Sequence, residues 1–167
     1  GSLRRGQIEA AKRFYLDAAT EAQSPIIASR AARIALFNRD LATATEAAEL
    51  WAKLAPEDAE ARQMLVQLYL KQRQFDLAFW QLRKLASLQG QENDGAAFMV
   101  LAALLADEEN RPDALPLMEG LVQKAGGSAE GYYAYAWLAW RLEAYPKAQQ
   151  AVTQALALKS DAIPALV

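Results

Sequence analysis

The sequence predicts an all-α protein of about nine helices stacked as antiparallel hairpins, and three observations carry that reading. Residues 25–58 and 59–92 superimpose without a gap as two copies of a 34-residue unit. Each copy holds two amphipathic segments of about 14 residues joined by a tight turn. Apolar residues make up 53% of the 167, much of that share alanine, which favours helix and lets helices approach closely. Glycine and proline number only 8 and 6, too few for a sheet protein built on tight turns.

Taken in order, Gly1-Ser2 has the composition left by a cleaved expression tag, and residues 1–5 are expected to be a flexible start. Residues 6–24 form a leading half repeat, a second helix without its partner, with Ala10 or Ala11 and Phe14 or Tyr15 at its contact slots. In repeat 25–58 the inward residues are Ala28, Ala31, Ala32 and Ala35, then Leu41, Ala44, Ala48 and Trp51. Small side chains at so many slots bring the helices together, and Trp51 supplies volume. Asp40 and Asp58 stand where N-caps are needed.

Repeat 59–92 points Leu65, Val66 and Tyr69 inward, then Phe75, Ala78, Leu82 and Leu85. A polar turn around Gln91–Gly95 shifts the register by about two residues. Repeat 95–128 then uses Phe98, Leu101, Ala102 and Leu105, followed by Ala114, Met118 and Leu121, with Gly126-Gly127 ending it. Pro116 would cost an established helix a hydrogen bond, so that second helix is expected to start late or kink in its first turn. Repeat 129–162 offers Tyr132, Tyr135, Ala136 and Ala139, then Tyr145, Ala148, Val152 and Ala155, and tolerates Pro146 in a first turn. Residues 163–167 read as the start of a further first helix, so the sequence is expected to be a piece of something longer.

The unit 59–92 resembles the tetratricopeptide repeat (TPR) family, whose pattern is W-x2-L-G-x2-Y, then A-x3-F, then P. Leu65, Tyr69 and Ala78 match, whereas Arg62, Val66 and Leu82 stand where the tryptophan, glycine and phenylalanine would be. That resemblance implies a right-handed superhelix over 6–162, a single solenoid whose first helices line a concave groove for a protein or peptide partner. Transferred by spacing, the groove positions are Ile26, Ser29, Arg33, Leu36 and Phe37, then Glu60, Gln63, Gln67, Leu70 and Lys71. Met99, Ala103, Ala106 and Asp107 follow, then Glu130, Tyr133, Trp137, Trp140 and Arg141. The residues expected to carry partner binding are Arg33, Phe37, Gln63, Gln67, Leu70, Met99, Tyr133, Trp137, Trp140 and Arg141. Tyr133, Trp137 and Trp140 share one helix face, and large aromatics are favoured anchors. Packing between repeats is the competing role for Trp137 and Trp140.

The TPRs that clamp a chaperone's terminal carboxylate use lysine and asparagine on successive first helices. Ser29 and Arg33, Gln63 and Gln67, and Met99 and Ala103 occupy those places here, so that clamp is missing. A formal net charge of −2 gives no basic stripe for nucleic acid. The absence of histidine and cysteine removes the commonest general base, thiol chemistry and zinc-finger spacing. Glu57/Asp58 and Glu108/Glu109 sit at turns, where capping and solvation explain them, and Ser87 near Lys84 lacks a third group. An enzyme is not expected, nor a cofactor or metal, and no apolar run approaches a membrane span.

Residues 7–70 are also similar to the amino-terminal repeats of large Gram-negative TPR lipoproteins. The likeness lies in the aromatic helix 8–22, in A-x-S-P-x-x-A-x-R-A from Ala22 to Ala31, and in W-A-x-L-A-P from Trp51. One such protein is an adaptor for a carboxyl-terminal processing protease. The resemblance implies an adaptor module in the periplasm, anchored to the outer membrane in the full-length protein. The alternatives are an architectural segment that self-associates through open solenoid ends, and a cytoplasmic TPR regulator.

Overall fold

Short polar side chains start the helices. Ser24, Asp40, Asp58 and Ser128 accept hydrogen bonds from the backbone N–H groups of Ile27, Thr43, Glu60 and Gly131 at 3.3, 3.2, 3.0 and 3.2 Å. Each satisfies a donor that has no acceptor within its own helix. The computed structural model describes residues 1–107 and 109–162. Among these the elements are α1 (Ser2–Ala22), α2 (Pro25–Phe37), α3 (Leu41–Leu54), α4 (Ala59–Lys71), α5 (Phe75–Leu88), α6 (Gly95–Leu105), α7 (Ala114–Lys124), α8 (Ala129–Arg141) and α9 (Tyr145–Ala162), with a single 3-10 turn at Arg111–Asp113. The chain is all-α and TPR-like, with no strand among the described residues.

Three of the hairpin turns share one construction. Arg39, Arg73 and Glu143 take left-handed backbone angles, with φ of 59°, 56° and 62°. The next N–H in each case, of Asp40, Gln74 and Ala144, reaches the carbonyls of Ala35, Tyr69 and Ala139 at 2.9, 2.8 and 2.8 Å. That closes the first helix and reverses the chain within three residues. The turn between α6 and α7 is different. There Asn110 Nδ2 donates to the Leu104 carbonyl at 3.2 Å, residues 111–113 form the 3-10 turn, and α7 begins at Ala114, three residues later in its repeat than α3, α5 and α9. Pro116 thus falls in the first turn of α7, where its missing N–H costs little.

The chain divides into two compact units, Gly1–Leu88 and Gln89–Val167. Sequence periodicity alone predicts one solenoid over 6–162. The division falls in the exposed polar turn 89–93, where the repeat register slips. In the first unit Ala28, Ala31, Ala32 and Ala35 of α2 share a core with Ala44, Ala47 and Ala48 of α3, and with Leu65, Leu68 and Tyr69 of α4. Trp51 is the largest side chain in that core, and its Nε1 donates to Asp58 Oδ2 at 3.0 Å. In the second unit Phe98, Leu101 and Leu105 of α6, Met118 and Val122 of α7, and Leu138 of α8 are buried.

Several sequence expectations change. Helix α1 begins at Ser2, before the expected 6, and buries Leu16 and Ala19, while Ala10, Ala11, Phe14 and Tyr15 are exposed. Alanines and aromatics fit either side of this weakly amphipathic helix, and only packing against α2 and α3 selects the face. Val152 and Tyr145 are 37% and 55% exposed, and the buried stripe of α9 is Ala148, Ala151 and Ala155. Ser29 is only 7% exposed and donates to the Ile26 carbonyl at 2.8 Å, so it is no groove group. The segment 163–167 and Glu108 lie outside the described residues.

Candidate partner-binding surfaces

The ten residues expected to bind a partner are divided between the units: Arg33, Phe37, Gln63, Gln67 and Leu70 fall in the first, and Met99, Tyr133, Trp137, Trp140 and Arg141 in the second. In the first, Ile26, Arg33 and Phe37 lie at i, i+7 and i+11 on the side of α2 opposite its buried alanines. Phe37 is 88% exposed. Glu60, Gln63, Gln67 and Lys71 form the matching face of α4, and Arg33 joins the two faces through Glu60 Oε2 at 3.1 Å. The same guanidinium lies 5.2 Å from the centroid of Trp51 and donates to Ser29 Oγ at 3.4 Å, so Arg33 is engaged within the unit. Leu36 and Leu70 are half-buried against the core.

In the second unit Tyr133, Trp137 and Trp140 share the side of α8 away from Ala134, Leu138 and Ala139. Trp140 is 59% exposed, and Trp137 is half-buried. Tyr133 is half-buried too, with the Lys159 ammonium of α9 5.1 Å from its ring centroid. Met99 is exposed on α6 beside Val100 and Ala103, and Arg141 is exposed at the end of α8.

The second unit also holds a crevice that periodicity did not reveal. It measures about 190 Å³ and lies between α7 and α9, with α8 beneath. Tyr132 and Tyr135, expected as core, face it. Glu119 and Val122 form the α7 wall, and Lys147, Gln150, Ala151 and Gln154 the α9 wall. Burial, and secondarily the Glu119 carboxylate, raises the Tyr135 phenol above its usual value. Tyr132 packs toward the turn at Gly127, whose φ of +70° suits glycine, with 3.5 Å between the Tyr132 hydroxyl and the place a Cβ would take. The signal for this crevice was present in the sequence as polar Gln150 and Gln154 one turn apart beside small Ala151, but which neighbours they face is a packing property.

Charge separates the two units as well. Thirteen Lys and Arg against ten Asp and Glu leave the first at +3, whereas five against ten leave the second at −5, together giving the −2 of the chain. Among the described residues no group of three or more His, Cys, Asp or Glu is placed to hold a metal ion, and no helix is long and apolar enough to cross a membrane.

No family model matches this sequence, and no curated protein matches it. Among solved structures the chain is similar to MamA, a TPR-fold protein. A crystal structure of MamA protein aligns over 98% of this chain and 91% of that one, at 16% identity and a TM-score of 0.50. MamA 41-end from Desulfovibrio magneticus RS-1 aligns over 95% of this chain and 89% of that one, at 19% identity and a TM-score of 0.48. The likeness to the first shows a shared fold.

Proposed function

We propose that the chain is a protein-interaction scaffold that holds a partner protein or peptide against the exposed faces of its first helices. One observation carries this: Phe37 and Trp140 are large aromatics left open to solvent at the C-terminal ends of the first helices α2 and α8. Each offers much area with few rotors to freeze, the property of an interface anchor. The adjoining faces of α2 and α4, tied by Arg33 and Glu60, extend the surface around Phe37 with the amides of Gln63 and Gln67.

The same proposal sets the scaffold in a bacterial envelope, as an adaptor module of a protein anchored at the outer membrane. Its support is the resemblance of residues 7–70 to the amino-terminal repeats of the TPR lipoproteins. Fractionation of cells producing the full-length protein separates this from a cytoplasmic regulator. For the surface itself, a photo-crosslinking residue placed in turn at 37, 63 and 140 is expected to capture a different protein, with melting unchanged. Crosslinks only between copies of this chain would replace the scaffold by a self-associating segment. No crosslink from any position would overturn the proposal.

A further inference from the structure

The crevice between α7 and α9 has a counterpart in the first unit, and there a side chain bonds across it. Helices α2, α4 and α5 begin at residues 25, 59 and 75, and α6, α8 and α9 at 95, 129 and 145, in each case 70 residues later. That offset pairs Tyr132 with Arg62, Tyr135 with Leu65, Ala151 with Gln81 and Glu119 with Glu49. In the first unit Arg62 lies across the equivalent space. Its Nη1 donates to Gln81 Oε1 at 3.0 Å, and its Nε and Nη2 donate to the Pro56 carbonyl at 3.1 and 2.8 Å. Glu49 there accepts the Tyr69 hydroxyl at 2.7 Å.

In the second unit the arginine is replaced by Tyr132 and the glutamine by Ala151, and the space stands open. What lines it suits a guanidinium. Two half-buried tyrosine rings offer π faces, Glu119 offers a carboxylate, and Gln150 and Gln154 offer amide oxygens. Gln150 and Gln154 are one helical turn apart, about 6 Å along the axis, close to the two-residue repeat of about 6.6 Å in an extended chain. They can therefore bond alternate peptide groups of a segment lying along α9, with Lys147 beside them to donate to a carbonyl. The −5 charge of this unit favours a basic ligand over an acidic one.

We infer that the α7–α9 crevice is a docking site for an extended, arginine-bearing segment of a partner protein, the arginine entering between Glu119 and the rings of Tyr132 and Tyr135. This builds on the scaffold reading but uses a different face from Phe37 and Trp140. Its test therefore does not depend on the crosslinks described above.

The probe is an acetylated, amidated Ala-Ala-Arg-Ala-Ala peptide titrated into the whole chain and followed by NMR, with leucine and glutamate peptides as controls. Saturable shifts are expected at the side-chain amides of Gln150 and Gln154, with a Kd on the order of 1 mM for so small a ligand. The leucine and glutamate peptides should bind several-fold more weakly. Glu119→Gln should weaken the arginine peptide by at least about threefold, the size expected of a partly exposed charge pair. Tyr132→Arg, which supplies the chain with its own occupant, should abolish binding while the melting temperature holds or rises. Equal binding of the leucine peptide, undiminished binding to Tyr132→Arg, or no shift at Gln150 and Gln154 would each overturn the inference. If Tyr132→Arg fails to fold, the Glu119→Gln titration decides alone.

Discussion

In the first unit the α2–α3 hairpin packs through alanines around Trp51 while α4 and α5 bury Leu65, Leu68, Tyr69 and Phe79, whereas the second is packed by Phe98, Leu101, Leu105, Met118 and Leu138. The first also spends its polar groups on itself. Arg33 meets Glu60, Arg62 meets Gln81, Tyr69 meets Glu49, and Asp58 both caps α4 and accepts from Trp51. The second unit leaves Tyr132, Tyr135, Glu119 and two glutamines around a crevice. One hairpin geometry thus accepts either solution, because Arg62 is long enough to reach across to Gln81, while Tyr132 opposite the short Ala151 leaves a gap.

That contrast can be broken by mutation. Each unit carries two tryptophans, Trp51 and Trp80 in the first and Trp137 and Trp140 in the second, so unfolding of each is visible by fluorescence after pairwise replacement of the others by phenylalanine. The largest effect is expected from Phe98→Ala, which empties a fully buried site in the second unit and should cost about 3–5 kcal/mol in denaturant titration. A loss under about 1 kcal/mol would mean that the second core collapses as readily as an alanine-rich one.

Next is Gly131→Ala. A Cβ there would stand 3.0 Å from Val122 Cγ1 and 3.2 Å from Phe98 Cζ, and overpacking of this kind costs about 1–3 kcal/mol. The paired change Gly120→Ala meets nothing within 4 Å and should instead stabilise α7 by about 0.5–1 kcal/mol. Opposite signs for two glycine-to-alanine changes in one unit would locate its tight side at α6, α7 and the start of α8.

In the first unit Asp58→Ala removes a helix cap and the acceptor of the Trp51 indole together, with an expected loss of about 1–2 kcal/mol at neutral pH. Asp58→Asn keeps an acceptor oxygen for only one of the two donors and should recover no more than about half of it. The smallest effect is one of pH. Burial, then the hydrogen bond to and the charge of Glu49, raises the Tyr69 phenol well above its ordinary 10.0. A raised acid favours the protonated folded form, so its contribution is full below the unfolded value and is lost as pH rises beyond about 10. Stability of the first unit should fall between about pH 10 and 11, and Tyr69→Phe should flatten that slope.

Much of the fold could be read in advance. Helix starts at 25, 59, 95 and 129, the late α7 beside Pro116 and the caps Asp40 and Asp58 follow from periodicity and local backbone chemistry. Of the surface residues, Phe37 and Trp140 stand exposed on first helices, and Tyr133, Trp137 and Trp140 share a face. Arg33 and Leu70 are engaged in contacts of their own unit, because spacing says which side of a helix a residue occupies but not what reaches over to meet it.

What the sequence by itself determined is the all-α repeat, since helix propensity, caps and a 34-residue period act within one hairpin. Tertiary structure alone decided which face of α1 is buried, that Ala151 rather than Val152 is covered, that the chain parts after Leu88, and that a space crossed by Arg62 in one unit lies open beside Tyr132 in the other. Each depends on the size and reach of side chains from two or three helices at once, and that information exists only after the helices have met.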